Sequence, residues 1–207
     1  MVEPFHFKTE FWIPIYTGIK VESLQEFIDA LQIVPENSIL YHLYVNLFNF
    51  HSIPFQYTNS IAYWLYNNGY ETIAEKVSII DPTEEYDLEK IRKHLIAILS
   101  EYSTKEDIKR FVSNPFYFRS VYREVLPTNM IAHNLDELIE GVKSSSIRSV
   151  FYHFITSRID KKTLINDYSE WLINMGHGKK AESIATIDIY TLSLYDIKEK
   201  LVEVLSS

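Results

Sequence analysis

The sequence predicts an all-α protein made by tandem duplication of a small multi-helix bundle domain. Three observations lead there. Only 5 glycines and 7 prolines punctuate 207 residues, against 46% hydrophobic residues, a composition that favours helices over turn-rich sheets. Capping signals precede apolar runs of helical period. Sliding the chain against itself by 111 positions aligns Pro4–His42 with Pro115–His153 without a gap, and fixed-period self-similarity is the mark of repeated units.

The alignment pairs "PFHF" with "PFYF" and "SILYH" (38–42) with "SVFYH" (149–153). After a loop four residues longer in the first copy, Asn59, Trp64, Leu65, Asn67 and Gly69 meet Asn166, Trp171, Leu172, Asn174 and Gly176. Ala74, Glu75, Ile80 and Asp81 then meet Ala181, Glu182, Ile187 and Asp188, and Leu88, Ile91, Leu95 and Leu99 meet Leu194, Ile197, Leu201 and Leu205.

The elements follow in order. "NPFYFRSVYREVLP" reads as a short helix, with Asn114 as N-cap, Pro115 in the first turn and Pro127 as terminator. Its counterpart at Phe5–Trp12 is open between helix and extended chain. Ser23 with Glu26, and Asn134 with Glu137, have capping-box spacing and start the next helix of each copy. The Tyr-His strings fall on a third helix and the tryptophans on a fourth. Gly69 and Gly176 stop that fourth helix, because a residue without Cβ enters the left-handed region cheaply. "ETIAEKVSI" and "KKAESIATI" form a fifth, and Asp87 and Ser193 cap the last. "STKEDIKRFVSN" joins the copies as a helical linker, with Ser103 and Glu106 again at capping-box spacing. The expected organisation is a first helical repeat at 1–102, a linker at 103–114 and a second repeat at 115–207. The two halves are expected to pack together about a pseudo-two-fold axis.

Several function classes drop out on composition. There are no cysteines, which removes disulfides, thiolate metal sites and a cysteine nucleophile. No apolar run reaches spanning length, and "MVEPFHFKTE" has neither the basic nor the apolar region of a secretion signal. The expectation is a cytoplasmic protein with no membrane partner. The net charge of −8 is carried by the first half, where 6 Lys+Arg face 14 Asp+Glu in residues 1–102; nucleic-acid binding needs the opposite sign. The Trp-Gly segment "WLYNNGYETIAEKVS" has helix-turn-helix outlines, but Glu71, Glu75 and a lone Lys76 do not suit a recognition helix. There is no P-loop, Gly-x-Gly-x-x-Gly or Gly-x-Ser-x-Gly string, so no cofactor is implied. Of the histidines, His6, His42 and His51 are the only rich combination in the first copy, and none of the seven lies in a metal-ligand string, so no metal site is expected.

"TGIKVESLQEFIDAL", "SILYHLY", "NSIAYWL" and "IAEKVSIIDPTEEYDLEKIRKHLIAIL" resemble a prokaryotic family known as domain of unknown function 5752. The first copy resembles it closely and the second more loosely, with Asn129 in place of Gly18 and "DIYTLSLYD" in place of "DPTEEYD". The resemblance implies a helical domain and no reaction. Any ligand role of the Thr-Gly and Asp-Pro-Thr motifs would belong to the first copy alone.

The residues kept in both copies supply the site candidates. Ser38, Tyr41 and His42 share a helix face at i, i+3 and i+4. A catalytic reading makes His42 a general acid or base, oriented by Glu75 or Asp81, with Tyr41 as second proton donor; His153, Tyr152, Glu182 and Asp188 are the counterparts. The competing reading makes the same set buried polar packing, and it is the one favoured here. The expected function is therefore a non-enzymatic binding or interaction module for an unidentified protein or small molecule, with homo-oligomers allowed. The alternative is a sugar or metabolite site, or an enzymatic one, around the Tyr-His pairs (Tyr41, His42, Asp81; Tyr152, His153, Asp188). A DNA-binding regulator ranks last.

Overall fold

The computed structural model describes residues 2–48, 57, 59–81, 84–102, 106–189 and 192–207. It overturns the all-α expectation. Two seventeen-residue strands, β1 (Phe5–Val21) and β2 (Phe116–Ala132), pair into a two-stranded sheet, so the protein is mixed α/β. The pairing is antiparallel: the Thr17 hydroxyl donates to the Phe118 carbonyl at 2.6 Å and the Thr128 hydroxyl to the Phe7 carbonyl at 2.8 Å.

From Phe116 onward the segment "NPFYFRSVYREVLP" is thus strand. Its aromatic and β-branched residues suit a pleated, half-buried surface, and Phe116, Phe118 and Ser120 are buried in alternation. The alternation slips by one at Ser120–Val121, which are both buried, and that slip disguises the two-residue period. Pro127 sits inside β2 and Pro14 inside β1. Both are tolerated because each strand of a two-stranded ribbon has one unpaired edge, where a missing N–H costs nothing.

The chain divides into two compact units: Ile13–Tyr122, and Met1–Trp12 together with Arg123–Ser207. They are called here the His42 unit and the His153 unit. Each strand therefore serves both. The start of β1 belongs with the helices of the second half of the sequence, and the start of β2 with those of the first.

The His42 unit contains α1 (Leu24–Leu31), α2 (Glu36–Phe48), α3 (Ser60–Asn67), α4 (Glu71–Ser78) and α5 (Leu88–Ser100), followed by a 3-10 turn at Glu106–Lys109. Ser23 caps α1 by accepting from the Glu26 amide, Asn59 caps α3 and Asp87 caps α5. Of the linker's capping pair, Ser103 lies outside the described residues. The core stacks Phe27 on Trp64 (ring centroids 4.8 Å apart), with Phe116 and Phe118 at 5.0 and 4.9 Å from Phe27. Such aromatic pairs add about 1 kcal/mol each beyond burial.

The His153 unit contains α6 (Leu135–Ser144), α7 (Ile147–Phe151), α8 (Ser157–Lys161), α9 (Asp167–Asn174), α10 (Gly178–Ala185) and α11 (Leu194–Ser206), with a π-helical turn at Tyr152–Thr156 between α7 and α8. Asn134, Asn166 and Ser193 are its caps. Phe5 stacks on Tyr168 at 5.3 Å and meets Trp171 edge-on at 6.2 Å. Phe7 presses on Gly141 so closely that a Cβ there would lie 2.3 Å from its ring. That contact explains a glycine inside a helix, where it costs about 1 kcal/mol relative to alanine.

Gly69 and Gly176 end α3 and α9 with φ of +82° and +83°. In each case the following amide reaches back to a leucine carbonyl, Tyr70 to Leu65 and His177 to Leu172, which closes the helix end as the glycines imply. Among the described residues no helix is long and apolar enough to cross a membrane.

Candidate functional site

The two histidines of the repeated string do the same mechanical job. Each lies on a helix beside the incoming strand and accepts a strand amide at Nε2: Arg119 N–H to His42 at 3.0 Å, Lys8 N–H to His153 at 2.8 Å. An accepting Nε2 puts the ring proton on Nδ1 in a neutral imidazole. In the His42 unit that proton faces Ser60 Oγ at 2.8 Å, and the Ser60 hydroxyl donates onward to the His42 carbonyl at 3.1 Å. In the His153 unit it faces Asp167 Oδ2 at 2.6 Å. Burial, with Arg119 nearby, pushes the His42 imidazole down to about 3. Burial also lowers His153, against the pull of Asp167, which favours the charged ring.

The tryptophans repeat the theme. Trp64 Nε1–H donates to the Asn114 carbonyl at 2.6 Å and Trp171 Nε1–H to the Glu3 carbonyl at 2.9 Å. The Thr-Gly motif is likewise tied into the fold. Thr17 bonds across the strands as Thr128 does, and the Ile19 and Met130 amides donate to the two hydroxyls. Of the Asp-Pro-Thr motif, Pro82 and Thr83 lie outside the described residues.

The carboxylates named from the sequence are not the ones that reach the histidines. Glu75, Glu182 and Asp188 are exposed. Both His42 nitrogens are taken by Ser60 and Arg119, so neither Glu75 nor Asp81 orients that ring. Asp81 instead lines a separate cavity of about 600 Å³ with Lys76, Lys90 and His94. Tyr41 is buried and its hydroxyl accepts from Arg119 at 3.5 Å. Tyr152 is buried beside Lys8, and burial raises its phenol to about 12. Of the metal candidates, His6 and His42 fall in different units and His51 lies outside the described residues. Among the described residues no three His, Asp or Glu side chains converge on one point.

Asp167 is not shared between the aligned halves: it aligns with Ser60, so the repeat in the sequence does not single it out. Its Oδ1 pairs with Lys161 Nζ at 2.8 Å, and Lys161 also donates to Glu170 Oε2 at 2.7 Å. Burial alone would raise the Asp167 carboxyl, but His153 and Lys161 outweigh it and hold the group below its ordinary value. This row of charge borders an open cavity of about 650 Å³, within the range of small-molecule sites. Its wall also includes Lys8, His6, Asn174 and the apolar Phe5 and Trp171.

A second charged group lies in the same unit, at a position where the aligned residue is apolar. Glu10 on β1 is fully buried, receives two N–H bonds from Arg123 at 3.1 and 2.8 Å and accepts from Thr156 at 2.9 Å. Arg123 continues to Asp160 at 2.9 Å. Burial keeps the Glu10 carboxyl raised in spite of Arg123. His153 and Thr156 both come from the π-helical turn, whose wider winding brings two strand-binding side chains onto β1.

A protein family described as "Family of unknown function (DUF5752)" matches residues 2–206. OrfY from Thermoproteus tenax, a solved structure, is similar over 99% of this chain and 94% of that chain, with a TM-score of 0.86 and 26% sequence identity. No match is found among curated proteins.

Proposed function

The chain belongs to the DUF5752 family, and on that footing we propose that it is a non-catalytic, cytoplasmic binding module, descended from a tandem duplication, whose ligand site is the cavity of the His153 unit. One observation carries the reading: the imidazole bordering that cavity has its lone pair engaged by the Lys8 amide and its proton by Asp167. A general base needs a lone pair that the substrate can reach, and this one is occupied by the strand. Lys161 and Glu170 meanwhile remain about half exposed along the cavity wall, as ligand-orienting groups do. The paired roles of His42 and His153, of Trp64 and Trp171, and of Thr17 and Thr128 support the duplication, since each pair makes the same bond to the aligned position of a strand or of the residues leading into it.

The test is a thermal-shift screen of the intact protein against a broad metabolite set. Hits are then repeated on Glu170→Ala and on the control Glu75→Ala, whose side chain lies outside the cavity. Stabilisation lost in Glu170→Ala and kept in Glu75→Ala supports the reading. Turnover of any ester, phosphate or glycoside substrate that disappears with His153→Asn would overturn it.

A further inference from the structure

We infer that the ligand of the His153-unit cavity is a neutral, hydroxyl-rich molecule of roughly sugar size, held by Lys161, Glu170 and Lys8 rather than by the histidine; this rests on the binding reading above. The cavity interleaves donors and acceptors. Three carboxylates, Glu3, Asp167 and Glu170, and two ammonium groups, Lys8 and Lys161, line it together with Asn174, whose amide offers both roles. A phosphate or carboxylate entering there would meet three like charges, and an organic cation would meet two. A hydroxyl group is donor and acceptor at once, so a ring of hydroxyls can satisfy such a mixed wall without stranding a charge.

The polar groups are also held at fixed spacing. Lys161 spans Asp167 and Glu170 at 2.8 and 2.7 Å, which orients both its ammonium group and the outer carboxylate. Asp167 is itself held by His153 at 2.6 Å. The histidine is thus a positioning residue: it fixes Asp167, Asp167 fixes Lys161, and Lys161 with Glu170 presents a donor–acceptor pair to vicinal hydroxyls. Phe5 and Trp171 add apolar wall, against which the C–H face of a polyol can rest. About 650 Å³ accommodates a mono- or disaccharide.

The experiment is isothermal titration of the full chain with myo-inositol, glucose and sucrose, and in parallel with inorganic phosphate and spermidine. The expected result is saturable binding of at least one neutral polyol. Glu170→Ala and Lys161→Met should each weaken it roughly tenfold, the worth of one charge-assisted hydrogen bond, while circular dichroism shows both variants folded. His42→Asn should leave it unchanged and His153→Asn should weaken it, which separates a positioning role from general stability. Binding of phosphate or spermidine without any polyol, abolished by the same two substitutions, would overturn the ligand class and leave the binding reading standing. Absence of binding by all five probes up to 100-fold above protein concentration and into the ~10 mM range, where weak polyol sites fill, would overturn the class. A failed metabolite screen in addition would remove the binding reading too.

Discussion

The two units solve one problem with different chemistry. In each, a buried imidazole pins the start of a strand to a helix by accepting its amide. The His42 unit orients that ring with a serine hydroxyl, the His153 unit with a carboxylate that is itself paired to Lys161. The serine version is closed and neutral. The carboxylate version needs a cation at hand, and that requirement places a row of charge on a cavity wall. At Glu10 the same contrast recurs: the His153 unit buries a carboxylate against Arg123, which reaches out to the exposed Asp160, where the aligned residue of the His42 unit is the apolar Val121. Residues that align between the units hold the strands, and the positions where the units differ mark where one carries polar chemistry.

The sharpest break of the comparison is to remove each pin. His42→Ala should destabilise by about 3 kcal/mol, from lost packing and an orphaned Arg119 amide. His153→Ala should cost about 4 kcal/mol, because it also leaves Asp167 buried with Lys161 as its remaining partner. Chemical denaturation of the two variants measures both. Equal losses would show that the carboxylate adds no energetic dependence to its unit.

What the sequence made legible, and what it hid, follows the same line. Capping at Ser23, Asn134 and Asp87 and the glycine stops are short-range events, and local residues specify them. β2 was hidden because Asn114-Pro115 imitates a helix start and the burial alternation slips at Ser120–Val121. The exchange of strand starts between units could not be seen at all. Phe116 packs with Phe27 and Trp64, and Phe5 with Tyr168 and Trp171, yet any register that pairs the copies suits either arrangement. The histidines were found because repetition exposes what is shared. Asp167, Lys161, Glu170, Glu10 and Arg123 escaped for the complementary reason.

Glu10 offers the next test. Glu10→Val introduces the residue type found at the aligned position and should cost about 3 kcal/mol, since Arg123 and Thr156 lose their central acceptor. Adding Arg123→Met should recover most of that loss, because buried ion pairs replaced by well-packed apolar side chains are often neutral. Urea midpoints of the single and double variants decide it. A double variant as unstable as the single one would mean that the charged group holds β1 in a way packing cannot replace.

Acid separates the pins more gently. His42 has a folded value of about 3 against an ordinary imidazole value of 6.5, so the folded state resists a proton that the unfolded chain accepts. Its contribution is complete above 6.5 and is lost as the pH falls from there towards 3, at about 1.4 kcal/mol per pH unit. His153 is lowered as well by its burial, with Asp167 pulling the other way. Denaturation between pH 7 and pH 5 should therefore show a flatter profile for His42→Asn than for the unsubstituted protein. A profile as steep as that of the unsubstituted protein would mean that the fold does not hold the His42 ring neutral.

The smallest effect concerns the serine that opens both repeated strings. Ser38 and Ser149 are buried, and among the described residues neither hydroxyl has a hydrogen-bond partner. A buried hydroxyl without a partner gives up its hydration for nothing, so a serine at both positions is not explained by a bond that it makes. A small side chain at these fully buried positions is the remaining requirement. Ser38→Ala and Ser149→Ala preserve that size and remove the unpaired oxygen. Each should leave stability unchanged or raise it by up to about 1 kcal/mol, whereas Ser38→Val should lower it by about 2 kcal/mol through overpacking. A loss on substitution by alanine in both units would reveal a shared polar contact at the start of the pin helices. The serine would then rank with the histidine among the groups that hold the strands in place.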